Sequence, residues 1–256
     1  MSVRILRPGQ KILTIGNHGL SVISPRGGAA ATYISKVLGY SPIAYWPLNE
    51  GSGAGAAICQ VDTDQNGTPT DATFGNALGP DGVNYAPSFN GTSSRINIDT
   101  AALEAVFNGD EGTISIWIKV SGSGVWTDSA YREVISLYGD SSNAVRINKG
   151  NTNNTMRFLR EANNTVLYYN ATMSPTDWAH IGLSWSVSGG KLKTYLNGSE
   201  IVGSEKDIAT TWAVSTFVNA NIGSLSTSYL WSGWLAHVAV FDSALSDAAI
   251  LALATV

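Results

Sequence analysis

Two segments of this 256-residue chain alternate between apolar and polar side chains, a pattern typical of β-strands that bury one face. In TISIWIKV and in AHIGLSWSV, every second residue is large and apolar. These positions are Ile114, Ile116, Ile118 and Val120 in the first segment, and Ile181, Leu183, Trp185 and Val187 in the second. The alternation therefore predicts a sheet with one face packed on a core.

Shorter strand signals recur between Gly-, Asn-, Ser- and Thr-rich turns, at about the 8- to 12-residue spacing of a β-sandwich. They cover Ile43–Leu48, Arg95–Ile98, Glu133–Leu137, Ala144–Ile147, Thr155–Leu159, Thr165–Tyr169, Lys191–Leu196, Phe217–Ile222 and Trp234–Phe241. Ser246 is placed to cap a short C-terminal helix. So many strands and so little helix predict an all-β fold of two packed antiparallel sheets.

Composition excludes several classes of protein. Charged residues make up 13% of the chain and hydrophobic residues 44%, which fits neither a disordered acidic protein nor a coiled coil. We expect no membrane insertion and no secretory signal peptide, because no apolar run has the required length or context. Cys59 is the single cysteine and is expected to be a buried thiol. Six Asn-x-Ser/Thr sequons are interpreted as turn residues without glycans.

Charge is distributed unevenly. Residues 1–49 contain no acid and carry a net charge of +5, whereas the rest of the chain carries −9. The basic residues are Arg4, Arg7, Lys11, Arg26 and Lys36. A hairpin is expected from Ile12–Ile15 and Leu20–Ile23, and a helix at about residues 29–38. We interpret 1–41 as an arm that anchors the protein to an acidic partner surface and 42–256 as the globular domain, although chance depletion of acids is an alternative.

Six blocks of sequence resemble the laminin G-like, concanavalin A-like jelly roll. They are YWPLNEGSG, APSFNGTSSRINI, GTISIWIKV, DWAHIGLSWS, KLKTYLNG and WSGWLAHVAVFDSALSDAAI, in the family's order over about four fifths of the chain. The resemblance implies a jelly-roll sandwich over residues 43–253. It does not imply one function, because this fold serves lectins, adhesion modules, glycosidases and structural proteins. Independently of the family, Asn197-Gly198 predicts a hairpin turn, and Asn90-Gly91 repeats that signal.

Catalysis finds little support in the sequence. Glycosidases of this fold place carboxylates along one strand as E-x-D-x-x-E, and the nearest match here, Glu205-x-Asp207, lacks the third acid. The three histidines stand in no nucleophile motif, and His180 and His237 are expected to face outward from strands. We therefore predict a protein that is not an enzyme, with a glycosidase as the least favoured alternative.

A calcium loop is one open alternative. Asp62, Asp64 and Asn66 form D-x-D-x-N-G, which supplies oxygen ligands at alternating positions, but Thr73 stands where a bidentate Glu would be. Laminin G-like domains often hold calcium near this loop, yet Ala236-His237 replaces the acidic pair that assists in many of them. An Asx-rich turn is favoured over a calcium site. Calcium at this loop is the single cofactor alternative, and no other cofactor is expected.

Loop aromatics offer a carbohydrate-binding alternative. Five tryptophans lie in the strand blocks and are expected to be structural. Trp126, Trp212 and Trp231 fall in polar loops with Asp128, Tyr131 and Tyr229 nearby, and these six residues are our candidate glycan-binding set. Nucleic-acid binding is not expected, because the domain is acidic and has no basic stacking surface.

An acid-free arm before an adhesion-type jelly roll is similar in plan to virion proteins of tailed bacteriophages. We therefore predict a non-enzymatic structural protein on the virion surface, a capsid decoration or fibre-type subunit that contacts other capsid or tail proteins. The alternative is a receptor or adhesin module that binds host-surface glycans on a tail or bacterial surface. Either role is compatible with a homo-oligomer.

Overall fold

The computed structural model describes residues 12–16, 19–23 and 32–256. The chain divides into two compact units, Met1–Thr32 and Tyr33–Val256. In the first unit, strands β1 (Ile12–Gly16) and β2 (Gly19–Ile23) pair in antiparallel register, which confirms the predicted strands of the hairpin. Four of the proposed anchoring residues lie outside the described part of the chain: Arg4, Arg7, Lys11 and Arg26.

The second unit is all-β with three short helices. The helices are α1 (Tyr33–Leu38), α2 (Ala101–Val106) and α3 (Asp247–Leu253). The strands are β3 (Ala44–Trp46), β4 (Thr68–Thr70), β5 (Thr73–Leu78), β6 (Tyr85–Asn90), β7 (Arg95–Asn97), β8 (Glu111–Val120), β9 (Arg132–Asp140), β10 (Asn143–Lys149), β11 (Thr155–Ala162), β12 (Thr165–Thr172), β13 (Ala179–Ser186), β14 (Lys191–Leu196), β15 (Ser199–Glu200), β16 (Lys206–Asp207), β17 (Asn219–Ile222) and β18 (Ser232–Phe241).

These strands form two antiparallel sheets, as the alternation predicts. The seven-stranded sheet has the order β12-β11-β10-β9-β17-β7-β4. The nine-stranded sheet has the order β15-β14-β13-β8-β18-β6-β5, with β16 beside β14 and β3 beside β18. The two segments that alternate most clearly, β8 and β13, are neighbours, and Ile116 pairs with Ile181. Sheets of this kind bury their inner faces against each other, and the core lies between them.

Helix α1 packs on the nine-stranded sheet, on the face opposite the main core. Tyr33 and Val37 are buried with Trp117 and with Leu253 of α3. The Tyr33 hydroxyl donates to the Leu253 carbonyl, and the Trp117 indole donates to the Tyr33 oxygen at 3.0 Å. The sequence placed this helix in an arm ending at residue 41, whereas the compact unit of the sandwich begins at Tyr33.

The two Asn-Gly turns have different roles. Asn197 and Gly198 adopt positive φ values of 49° and 81° and join β14 to β15, which confirms the predicted hairpin. Asn90-Gly91 instead connects β6 of the nine-stranded sheet to β7 of the seven-stranded sheet. The Asn90 Oδ1 accepts backbone N–H groups from residues 92, 93 and 94, so this asparagine stabilises a crossover between the sheets. The hairpin expectation at Asn90 is therefore wrong.

The helices show what capping signals can predict. Ser246 accepts the backbone N–H of Ala249 at 3.3 Å and begins α3, as expected. Thr100 caps α2 in the same way by accepting the N–H of Leu103 at 3.1 Å, although the sequence did not predict α2. Cys59 is buried, as expected. Among the described residues, no helix has the length and apolarity needed to cross a bilayer.

Candidate binding site on the seven-stranded sheet

The outer face of the seven-stranded sheet is polar because its strands alternate. On β9 and β10, the apolar side chains of Ile135, Val145 and Ile147 belong to the core. The residues between them therefore point away from the core. Arg146 pairs with Ser136 of β9, and Asn148 pairs with Arg157 of β11. Polar side chains from three adjacent strands thus share one surface.

A groove with two pockets runs over this surface. The smaller pocket has a volume of about 230 Å³ and the larger about 600 Å³. Arg146 and Tyr229 line both pockets, so the two are contiguous. The smaller pocket is completed by Tyr131, Asn148 and Arg157, and the larger by Tyr138, Ser141, Glu161, Asn219, Leu225, Ser226 and Ser228. We call these residues together the arginine–tyrosine groove.

One wall of the groove is the loop between β17 and β18. Its ends are fixed, because Gly223 donates to Val134 of β9 and Trp231 donates to Gly223, both at 2.8 Å. Between them, Ser226 and Tyr229 adopt φ values of 55°, which turn the chain back over the sheet. The Tyr229 ring is 43% exposed and lies 5.3 Å from the Tyr131 ring, centroid to centroid. The wall therefore presents two adjacent tyrosine rings.

An ion pair lies at the floor of the groove, by which we mean the outer face of β9, β10 and β11: Arg146 lines both pockets, and Glu133 is its fully buried partner. The Arg146 Nε and Nη2 donate to the Glu133 Oε1 and Oε2 at 3.1 and 2.8 Å. The Glu133 side chain has no exposed surface. Burial raises the pKa of this carboxyl, and the Arg146 guanidinium acts against that rise. Both carboxylate oxygens are thus occupied by one arginine, in the bidentate geometry that guanidinium groups favour.

Other polar atoms of the floor lack partners within the described structure. They are the Nε of Arg157, the Oδ1 of Asn148 and the Oγ of Ser136, all of which are buried. The Arg157 guanidinium lies 4.2 Å from the centroid of the Tyr168 ring, so an aromatic ring supports its face. Buried polar groups in folded proteins almost always have hydrogen-bond partners. Two of these three residues, Arg157 and Asn148, line the smaller pocket.

The fold and the family follow from comparison with known proteins. A laminin G-like family model, described as the concanavalin A-like lectin/glucanases superfamily, matches residues 90–251, which is more than half of the chain. The chain belongs to this superfamily. The matched segment includes every strand that contributes to the floor of the groove. Comparison of the sequence with curated proteins finds no match.

Solved structures share this superfamily fold at low sequence identity. The receptor-binding domain of botulinum neurotoxin C/D mosaic serotype is 13% identical, with a TM-score of 0.64 over 84% of this chain and 51% of that chain. Domain 4 of the extracellular arabinanase AbnA from Geobacillus stearothermophilus, in complex with arabinotriose, is 16% identical, with a TM-score of 0.63 over 84% and 98%.

A third structure is the ligand-binding domain of botulinum neurotoxin serotype D in complex with N-acetylneuraminic acid. It is 13% identical, with a TM-score of 0.63 over 87% of this chain and 52% of that chain. This chain therefore spans about half the length of the toxin domains that it matches. At identities this low, the structural likeness shows the common fold alone.

Within this superfamily fold, two of the predicted glycan-binding tryptophans are buried. Trp126 is 1% exposed and donates from its indole to the Pro175 carbonyl at 2.8 Å. Trp231 is fully buried, and both tryptophans belong to the main core. The prediction that they present exposed indole faces is wrong, because both side chains pack into the main core.

Trp212 lies outside the arginine–tyrosine groove. Its indole is half-buried and packs on Phe107, with the ring centroids 5.5 Å apart. It also covers Gly109 and Gly139, where an added Cβ atom would come within 2.1 and 3.1 Å of the indole. Trp212 therefore closes one part of the main core. Of the six glycan candidates, only Tyr131 and Tyr229 line the groove.

Asp128 is a structural carboxylate beside the groove. It accepts from the Nε of Arg132 and from the Nζ of Lys149, both at 2.6 Å. The Lys149 side chain is completely buried. Partial burial acts to raise the pKa of Asp128, but hydrogen bonds from Lys149, the Ala130 N–H and Arg132 hold that pKa below its usual value. The carboxylate is thus committed to neutralising a buried lysine.

The candidate calcium loop is a capped turn in the described structure. The Asp62 Oδ1 accepts the Asp64 N–H at 2.9 Å, and the Asn66 Oδ1 accepts the Cys59 N–H at 2.8 Å. Two of the three proposed ligand side chains therefore make backbone hydrogen bonds, as an Asx-rich turn does. Among the described residues, no cluster of three His, Cys, Asp or Glu side chains is arranged to hold a metal ion. Calcium binding at this loop stays a prediction.

Other predicted residues lie away from the groove. Lys36 of α1 donates to the Thr255 carbonyl at the C-terminus of the sandwich unit. Glu205 and Asp207 both pair with Lys191 on the nine-stranded sheet. His180 and His237, expected to face outward, are buried, and burial lowers their pKa values to about 3 and about 4. Both lie on the outer face of the nine-stranded sheet, as expected, but they are covered there: His237 packs on Tyr33 of α1, and His180 packs on Trp117.

Sequence reasoning missed most of the groove. Glu133, Arg146, Asn148 and Arg157 are polar residues at alternate positions within strands that were correctly predicted. The available signal was a strand whose outward positions carry arginine and asparagine instead of the Thr and Ser of an ordinary solvated face. Three strands with this pattern, joined in sequence by short turns, predict a charged and hydrogen-bonding sheet face.

Proposed function

We propose that the Tyr33–Val256 unit is a carbohydrate-binding module and that its ligand lies in the arginine–tyrosine groove. The observation that carries this proposal is a pocket in which Arg157 and Asn148, each with a buried polar atom that has no partner in the described structure, lie beside the rings of Tyr131 and Tyr229. Sugars present hydroxyl groups that donate and accept hydrogen bonds, together with C–H faces that pack on aromatic rings. The groove supplies the complement of both.

Two of the structural neighbours support a binding role. One superfamily neighbour is a domain of an arabinanase in complex with arabinotriose, and another is a toxin ligand-binding domain in complex with N-acetylneuraminic acid. The shared fold alone does not determine the ligand, so the proposal rests on the polar groove, and the neighbours show that this fold can carry sugar ligands.

We further propose that the groove binds without turnover. Most glycoside hydrolases use two carboxyl groups, one as acid and one as base or nucleophile. The groove region has Glu133 and Glu161, but both oxygens of Glu133 are held by Arg146. A carboxylate bound in this way is not available to transfer a proton to a leaving group. Product analysis after long incubation with any bound oligosaccharide tests this point, and a released sugar would contradict it.

A glycan array tests the binding proposal. The full chain should bind at least one class of oligosaccharide, and Tyr229→Ala should abolish that binding without changing the Tm. Tyr85→Ala is the matched control, because Tyr85 is 49% exposed on β6 of the other sheet. Equal binding by the two variants would show that the ligand lies elsewhere, and an array without any signal would refute the carbohydrate-binding proposal.

The virion role remains a second proposal, supported by the charge distribution. Residues 1–49 contain no acid, and four of their five basic residues fall in the compact unit Met1–Thr32, whereas Lys36 belongs to the sandwich unit. We propose that this unit anchors the chain to a capsid or tail while the sandwich faces outward. A chain shortened to begin at Thr32 should keep the Tm of the sandwich and fail to co-sediment with the phage particles that carry the full chain. Full occupancy by the shortened chain would refute the anchoring role.

A further inference from the structure

The charge of the arginine–tyrosine groove indicates which class of sugar it binds. We propose that the ligand is an acidic sugar with a single carboxylate, and that Arg157 receives this carboxylate. This inference rests on the proposed carbohydrate-binding function, and it concerns the chemistry of the ligand at that same site.

The first step is the balance of charge on the floor. Arg146 and Glu133 neutralise each other through two hydrogen bonds. Arg157 lies within electrostatic range of the same glutamate, but no hydrogen bond or ion pair joins them in the described structure. These three groups beside the smaller pocket therefore leave one net positive charge, whereas Glu161 adds a negative charge at the larger pocket. A single positive charge matches one carboxylate better than a doubly charged phosphate.

The second step is the geometry of Arg157. Its guanidinium carbon lies 4.2 Å from the centroid of the Tyr168 ring. Arg157 lines the smaller pocket together with Tyr131 and Tyr229, and its Nε has no hydrogen-bond partner in the described structure. A guanidinium fork binds a carboxylate through two parallel hydrogen bonds. A ligand carboxylate would satisfy this donor, which no protein group does.

The third step is the orientation of the ligand. Glu161 lines the larger pocket and lies four residues beyond Arg157 on β11, which is roughly 13 Å along a strand. A negatively charged ligand is therefore attracted at one end of the groove and repelled at the other. Asn148 in the smaller pocket, and Ser226 and Ser228 in the larger pocket, offer hydrogen-bonding groups for sugar hydroxyls. The carboxylate is directed to the smaller pocket and the neutral sugar rings to the larger.

Isothermal titration with matched sugar pairs tests the inference. The probes each carry one carboxylate: 3′-sialyllactose is compared with lactose, and methyl α-galacturonoside with its methyl ester, so that sialic and uronic acids are distinguished. At least one acid should bind about tenfold or more tightly than its neutral counterpart. Raising the salt concentration from 50 to 300 mM should reduce this ratio, because the attraction of charges across the pocket mouth is screened.

Variants locate the preference. Arg157→Gln should reduce the acid-to-neutral affinity ratio to about one, and Arg157→Lys should restore only part of it because the fork is lost. Arg95→Gln is the matched control, since Arg95 lies on β7 of the same sheet, four strands away. It should leave the ratio unchanged. Circular dichroism and the Tm establish that each variant is folded.

The outcomes separate the two proposals. Binding of neutral and acidic sugars with equal affinity, with loss of both in Tyr229→Ala, would overturn the acidic-sugar inference and support the carbohydrate-binding function. An acid preference that survives in Arg157→Gln would also overturn the inference. Absence of binding to every sugar, in these titrations and on the array, would overturn the binding function itself.

Discussion

Replacing Asp128 by Asn tests whether this residue is structural. The substitution preserves the shape of the side chain and removes its charge. Lys149, whose side chain is completely buried, would then lose its only carboxylate partner in the described structure. Removing one member of a fully buried pair costs about 3–5 kcal/mol, and exposed pairs contribute about 0–1 kcal/mol. The Asp128 side chain is 24% exposed, so we expect a loss of roughly 2–4 kcal/mol of unfolding free energy.

This loss is measurable by urea unfolding and by thermal unfolding. For a unit of this size, each kcal/mol shifts the Tm by about 2–4 °C, which predicts a decrease of about 5–15 °C. Asp177→Asn is the matched control, because Asp177 also pairs with a lysine, Lys119, but its side chain is 85% exposed. The control should differ from the parent protein by less than about 1 kcal/mol.

The pH dependence gives an independent check. Because the folded-state pKa of Asp128 lies below its usual value, the carboxylate contributes stability above the ordinary aspartate pKa of about 4. That contribution is lost as the pH falls below about 4 and through the folded-state pKa. The stability difference between Asp128→Asn and the parent protein should therefore be full at pH 7 and shrink at pH 3. If Asp128→Asn is as stable as Asp177→Asn at pH 7 but binds glycans poorly, Asp128 is a binding residue and our structural interpretation is refuted.

Three other predictions follow from packing, burial and the candidate calcium loop. Gly233→Ala should prevent stable folding, because the new Cβ would lie 2.0 Å from the Lys119 carbonyl oxygen at a φ of 144°. Gly182→Ala is the control, because its Cβ makes only contacts of 3.4 Å or longer. Equal unfolding free energies of the two variants in urea would contradict this prediction. As the pH falls from 6.5 to 4, the unfolding free energy should decrease by up to roughly 1.4 kcal/mol per pH unit for each of the buried His180 and His237, because their unfolded forms bind protons first. His237→Gln should reduce this slope. An unchanged slope would contradict the lowered pKa of His237. Calcium at 1 mM should leave the Tm unchanged if the Asp62–Asn66 loop is an Asx turn, and a rise of several degrees that Asp64→Asn abolishes would establish a calcium site.

Much of the fold could be predicted from the sequence because strand periodicity and turn chemistry are local signals. The alternation from Ile114 to Val120 predicted β8, and Asn197-Gly198 predicted the hairpin of β14 and β15, since both signals depend on neighbouring residues alone. The pairing of strands across sheets is not local. Asn90-Gly91 has the same two residues as the true hairpin, but the strand that follows joins the other sheet, and only the packed structure decides this.

The candidate site was less predictable because burial depends on the tertiary structure. Trp126 and Trp231 stand among polar residues in sequence, yet both fill the core. Arg146 and Arg157 stand in apolar strands, yet both reach the surface groove. Tyr131 and Tyr229, which were predicted only as neighbours of the loop tryptophans, are the two candidates that line the groove. Their proximity arises from the loop between β17 and β18, whose path the sequence did not predict.

The groove also has an energetic cost that bears on its function. Each buried polar group without a partner destabilises the folded state by about 1–3 kcal/mol relative to a satisfied or apolar one. The Ser136 hydroxyl is buried without a partner in the described structure, and Ser136→Ala removes it without adding volume. If this hydroxyl serves sugar binding, the substitution should raise the unfolding free energy and weaken binding together. If the hydroxyl served packing alone, the same substitution would raise stability and leave ligand affinity unchanged. The opposite signs of the two effects are the property that distinguishes a binding surface from a structural one.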